Sequence, residues 1–210
     1  ANRVVSDQYV ANNAPYTMRK APDAEWDEES LVGGTIAWNQ LIRESKVSGQ
    51  SGTLTVSNAV YTLVPNGNYS STLHYGIGRS TDEPLLIANH VYFATVKVKS
   101  TKADKFRLRV SNTTKYSDDL SANQSGVIDL LCKGTTYLDV LTVYAYDDTL
   151  YTSSDTLTFS DFNVFDLTQM FGSAIADYIL SLETANADTG IAWFRNYFNK
   201  LLYQYNPGIS

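Results

Sequence analysis

The segment Lys105-Phe106-Arg107-Leu108-Arg109-Val110 alternates charge and apolar bulk without a break. A β-strand points successive side chains to opposite faces, so this pattern fits a strand with one face in a core and one in water. Phe106, Leu108 and Val110 take the core side; Lys105, Arg107 and Arg109 take the other. A helix would scatter the same residues around its axis.

The alternation recurs along the chain. Leu54 and Val56 precede a turn at Asn58, and Val60 to Val64 follows. Pro65-Asn66-Gly67-Asn68 is a strong turn. Leu73, Tyr75 and Ile77 alternate, as do Tyr92, Ala94, Val96 and Val98 against Lys97 and Lys99. Val127–Leu131, Leu138–Tyr146 and Thr156–Phe165 complete eight to ten strands with no long helix between them. That order predicts a mainly β fold, an antiparallel β-sandwich of the jelly-roll kind over residues 35–165. Residues 1–34 read as an N-terminal arm or linker, because Asp23, Glu25, Asp27, Glu28 and Glu29 are acidic and no apolar period is sustained.

From 166 the period changes. Asp166 can cap a helical turn over Leu167–Phe171, and Gly172 can end it. Ile175, Ile179 and Leu182 share one helical face, with Tyr178 beside them. Thr189 or Asp188 can cap a second helix whose face carries Ile191, Phe194, Phe198 and Leu201. Such short helices are marginal alone in water. Residues 166–210 are therefore expected to be a docking segment, with Ile175, Ile179, Leu182, Ile191, Phe194 and Phe198 buried against the sandwich or a partner chain.

Composition narrows the function. Sixteen Lys and Arg against 22 Asp and Glu give a net charge of −6. That is a poor match to a phosphate backbone, so no nucleic-acid partner is expected. No apolar run approaches a membrane span, so no membrane insertion is expected. Cys132 is the only cysteine; beside Leu130 and Leu131 it reads as a buried, inert thiol.

Motifs for catalysis are missing. His74 and His90 have no metal-ligand spacing, no GxSxG elbow occurs, and Gly76-Ile77-Gly78 lacks the third glycine of a dinucleotide fingerprint. Asp82-Glu83, Asp118-Asp119 and Asp147-Asp148 are adjacent pairs, which do not face each other across a cleft as a glycosidase requires. The chain is read as a non-enzyme; a glycan-active enzyme fragment is the weakest alternative. No cofactor is expected beyond a structural calcium ion, for which Asp147, Asp148 and Asp161 are the first candidates.

Tyrosine is abundant, at 15 residues. In Leu141–Tyr146 the aliphatic residues Leu141, Val143 and Ala145 alternate with Thr142, Tyr144 and Tyr146. With the aliphatic side in the core, two phenol rings and a hydroxyl point outward, a surface suited to sugar rings or to cross-strand packing. Thr142, Tyr144 and Tyr146 are the candidate glycan-binding residues.

Two segments carry a resemblance. Leu31-Val32-Gly33-Gly34-Thr35-Ile36-Ala37-Trp38-Asn39-Gln40-Leu41 opens the sandwich. Phe165-Asp166-Leu167-Thr168-Gln169-Met170-Phe171-Gly172 closes it, followed by Trp193-Phe194 and Tyr203-Gln204-Tyr205-Asn206-Pro207-Gly208. Together they resemble tail-associated proteins of tailed bacteriophages and prophages of gut bacteria, which carry a carbohydrate-binding-like jelly roll. The resemblance spans about 31–208. It implies a virion or extracellular location, a structural or receptor- and glycan-recognition role in a tail or tail fibre, and neighbouring tail subunits as partners, with a homo-oligomer such as a trimer. A glycan-binding module of a secreted or cell-surface bacterial protein is the alternative. No Trp lies between Trp38 and Trp193, so the resemblance supplies no sugar-binding tryptophan.

Overall fold

The computed structural model describes residues 31–32, 35–36, 47–57, 60–67, 75–79, 86–135, 141–147 and 149–205, with side chains of the last helix described through 197. The arm expected over 1–34 lies outside the described residues, apart from the short strand β1 (Leu31–Val32), which pairs with β2 (Thr35–Ile36).

Ten further strands form two antiparallel sheets. They are β3 (Val47–Gln50), β4 (Gly52–Ser57), β5 (Val60–Pro65), β6 (Gly76–Arg79) and β7 (Val91–Ser100), then β8 (Phe106–Val110), β9 (Thr113–Tyr116), β10 (Ser125–Lys133), β11 (Leu141–Ala145) and β12 (Leu157–Asp166). One sheet has the order β10-β7-β12-β5-β4 and the other β3-β6-β11-β8-β9. Every strand pairing is antiparallel, so the chain folds as the β-sandwich that its alternation predicts.

The inner faces meet in one apolar core. Phe106, Leu108 and Val110 are fully buried there, with Leu141, Val143 and Ala145 beside them. The turn at Pro65-Asn66-Gly67 forms, with Gly67 at φ +77 and the Asn66 N–H donating to the Ser51 carbonyl.

β7 is buried on both faces over its first half, because it separates two cores. Tyr92, Ala94, Val96 and Val98 point between the sheets. Val91 and Phe93 point outward into a second cluster with Leu131, Phe165 and the C-terminal helices. Those helices are α1 (Leu167–Phe171), α2 (Ser173–Ala185) and α3 (Thr189–Tyr205). The molecule is thus three layers deep at this end: sheet, sheet, helices.

β12 changes phase midway. Leu157 and Phe159 face the inner core, and so do Phe162 and Val164. A bulge between Ser160 and Asn163 makes this possible, with Asp161 at φ +49. The expected strand is present, but its alternation shifts because a bulge inserts an unpaired residue.

The helical segment is anchored at its start. Asp166 Oδ1 accepts from the Gln169 N–H at 2.9 Å, and its Oδ2 lies 2.8 Å from His90 Nδ1. Gly172, at φ +81, donates to the Thr168 carbonyl, so cap and stop are as the sequence indicates. The cap of α3 comes from elsewhere. Glu183 of α2 accepts from the Asp188 N–H at 2.9 Å and the Ile191 N–H at 3.1 Å, while the Asp188 carboxylate pairs with Lys115 of β9.

The docking face is rotated from its expected position. Ile179 is fully buried, and Ile191 and Phe194 are buried with it. Ile175 is 41% exposed and Leu182 is half-buried. The Phe198 side chain lies outside the described residues. Ala176 is fully buried in the inward place expected of Ile175. A Cβ on Gly190 would stand 2.4 Å from the Ile179 carbonyl oxygen. At the sheet, Arg195 of α3 forms a two-pronged pair with Asp129 of β10, at 3.0 and 2.5 Å, and donates to Thr95 Oγ1 of β7 at 2.9 Å. No helix among the described residues is long and apolar enough to cross a membrane.

Candidate functional site

The outward face of β3-β6-β11-β8-β9 holds the predicted binding residues. Paired residues on neighbouring strands share a face, so the registers generate two rows across the sheet. The first runs Ser48, Gly78, Thr142, Arg109, Thr114. The second runs Gln50, Gly76, Tyr144, Arg107, Tyr116. Tyr146 continues the line of Thr142 and Tyr144 just past the end of β11.

This face is sunken at its centre and open at its rim. Gly76, Gly78, Thr142 and Tyr144 are buried, while Ser48, Thr114, Tyr116 and Tyr146 are exposed. The glycines belong to the geometry: a Cβ at Gly76 would lie 2.1 Å from the Val143 carbonyl oxygen, and one at Gly78 would lie 2.9 Å from Thr142 Cγ2. Gly76-Ile77-Gly78 is thus a strand that runs close against β11, with Ile77 in the core.

Arg107 organises the centre. Its guanidinium lies over the Tyr144 ring, 4.9 Å from the centroid, and 5.5 Å from that of Tyr146. The outward display expected of Tyr144 and Thr142 is therefore corrected. Both point away from the core, yet each is only 8% exposed. They occupy the middle strand, where long side chains from neighbouring strands lie across them. The open rings are Tyr146 and Tyr116, at 38% and 39% exposure. They meet edge to face at 4.7 Å between centroids. The hydrogen bond with Tyr116 is the first cause holding the Tyr146 phenol above its ordinary pKa.

Tyr146 is held by the turn beneath it. Its N–H donates to the Lys105 carbonyl at 2.6 Å, and the following Asp147 N–H donates to Asp104 Oδ1 at 3.1 Å. Asp104 is a buried carboxylate that also accepts from the Tyr151 hydroxyl at 2.7 Å and the Lys105 N–H at 2.7 Å. Burial pushes its pKa up, against those hydrogen bonds, which pull it down.

Two polar atoms at this face stand apart. Thr142 Oγ1 and Arg107 Nε are buried and have no hydrogen-bond partner among the described residues. Buried hydroxyls and guanidinium nitrogens are ordinarily paired, because stranding one costs about 1–3 kcal/mol.

The metal candidates do not converge. Among the described residues no three His, Cys, Asp or Glu side chains gather as a metal site would require. Asp147 is exposed, Asp161 is the bulge residue of β12, and Asp148 lies outside the described residues, as do His74 and the pair Asp82-Glu83. Cys132 is buried, and burial pushes its thiol pKa up to about 12, so it is the inert thiol its neighbours indicate. Arg107, Arg109 and Tyr116 were not singled out by sequence reasoning. The outward side of Lys105–Val110 was readable, but which tyrosine it meets depends on strand order.

No protein-family model matches the chain, and no curated protein matches it. Solved structures of carbohydrate-binding modules are similar to it in fold. A family 4 carbohydrate-binding module is 12% identical, with 59% of this chain and 81% of that chain covered and a TM-score of 0.39. The N-terminal cellulose-binding domain of Cellulomonas fimi β-1,4-glucanase C is 8% identical, with 59% and 90% covered and a TM-score of 0.41. A family 29 carbohydrate-binding module is 12% identical, with 62% and 84% covered and a TM-score of 0.36.

Proposed function

We propose that the chain is a non-catalytic glycan-binding module whose site is the outward face of β3-β6-β11-β8-β9. The observation that carries this reading is the pair of open rings, Tyr116 and Tyr146, with the Arg107 guanidinium held beside Tyr146. A sugar offers hydroxyls for the guanidinium and an apolar C–H face for the rings. A glycan array of bacterial wall and mucin sugars tests it. Wild type binds at least one glycan class and Tyr146→Ala loses that signal. A wild-type signal that Tyr146→Ala and Arg107→Ala both leave intact contradicts the proposed site.

The setting we propose is a phage or prophage tail, in the virion and outside the cell, where the module would sit among copies of itself and other tail subunits. The opening and closing segments that resemble tail-associated proteins support it, and so does the half-open apolar stripe of Ile175, Tyr178 and Leu182. Light scattering at several concentrations checks the self-association. Oligomers that Ile175→Glu disperses are expected; a strict monomer at every concentration argues against it.

A further inference from the structure

The cations of this molecule divide into two groups. Lys102, Lys105, Lys115, Lys133 and Arg195 each have a carboxylate within 4 Å. Among the described residues Lys97 and Lys99 of β7 have none, and neither do Arg107 and Arg109. The two arginines stand at i and i+2 of β8, so both face the same way, about 7 Å apart along the strand. The ten positions of the two rows hold two guanidinium groups and no carboxylate, in a chain whose net charge is −6. Asp147 is the nearby acid whose charge the Tyr146 phenol feels, and it makes no ion pair with either arginine.

Both guanidiniums are oriented rather than loose. Arg107 is held against the rings of Tyr144 and Tyr146. Arg109 Nε donates to the Ser111 carbonyl at 3.2 Å, which leaves its terminal nitrogens for a ligand. A planar fork fixed in this way matches a carboxylate, which accepts two parallel N–H bonds. A neutral glycan lying on the same face would remove water from both charges and return no anion, which is a cost that discriminates against it.

We propose that the ligand is an acidic glycan, whose sugar carboxylate pairs with Arg107 and Arg109 while the ring of that sugar or its neighbour lies on Tyr146. This rests on the glycan-binding reading above and names its ligand class.

The test is calorimetric titration of the whole chain with carboxylate sugars and their neutral counterparts: hexagalacturonate against its methyl ester, sialyllactose against lactose, and cellohexaose as a neutral hexamer. At least one acid is expected to bind, with its neutral counterpart at least tenfold weaker. Arg107→Gln and Arg109→Gln should each weaken the acid about tenfold or more, the effect of removing a charged hydrogen bond. Arg107→Lys should retain part of the affinity, which separates charge from a folding defect. Equal affinity for an acid and its neutral counterpart overturns the acidic-glycan assignment. So does binding of cellohexaose alone, lost in Tyr146→Ala, although the glycan-binding face then stands. Binding of no sugar on the array or in the titrations removes both.

Discussion

Thr142 shows how a single residue can sit against stability. Its hydroxyl is buried on the middle strand without a partner among the described residues, whereas a valine of the same shape would leave nothing unpaired. Thr142→Val should therefore raise the unfolding free energy by about 1 kcal/mol. Urea denaturation measures it; a destabilised protein would mean that the hydroxyl has a structural partner. At this scale the sequence is half legible. Alternation correctly placed Thr142, Tyr144 and Tyr146 on the non-core face. It could not report that Arg107 covers Tyr144, since exposure depends on a residue 37 positions away in the chain, brought opposite by register. Asp161 was equally opaque as a bulge residue, because nothing local to it announces that Phe159 and Phe162 must face the same core.

At the scale of elements, the helices and the sheet share one apolar cluster. Phe194 is fully buried there, with its ring 4.6 Å from that of Phe93 of β7 and 5.8 Å from that of Phe165 of β12. Such a residue cannot be removed without a cavity between the layers. Phe194→Ala should lower the unfolding free energy by about 3–5 kcal/mol, read from the shift of the denaturation midpoint. A change below about 1 kcal/mol, within the range of surface substitutions, would mean that the helices do not depend on the sheet for their stability. The helices were legible as amphipathic elements with Asp166 as cap, but their inward phase was not. Hydrophobicity favours Ile175 over Ala176, whereas the fold buries Ala176 and leaves Ile175 at the surface. The α3 cap likewise comes from Glu183, a residue of the preceding helix that a search of the local sequence passes over.

Across the whole molecule, the two outer sheet faces have been given different work. The outer face of β10-β7-β12-β5-β4 carries the helices at one end, stapled by Arg195 to Asp129 and by Lys133 to Asp177. Beyond them it presents the cross-strand row Lys99, Thr158, Thr62 and Thr55. Among the described residues the outer face of β3-β6-β11-β8-β9 carries no helix, and it gathers Arg107, Arg109, Tyr116 and Tyr146 around a buried centre. The sandwich class was readable from period-2 patterning alone. The division of labour between its faces was not, because it arises from a strand order in which β11 lies between β6 and β8, and both arginines and Tyr116 reach it from the β8 side. The most direct test of the glycan face is therefore a map. Backbone amide shifts recorded while a bound glycan from the array is titrated in should move at Arg107, Arg109, Tyr116, Thr142, Tyr144 and Tyr146, and stay still at Lys99, Thr158 and Thr62. Shifts confined to the Lys99–Thr158–Thr62 row would contradict it.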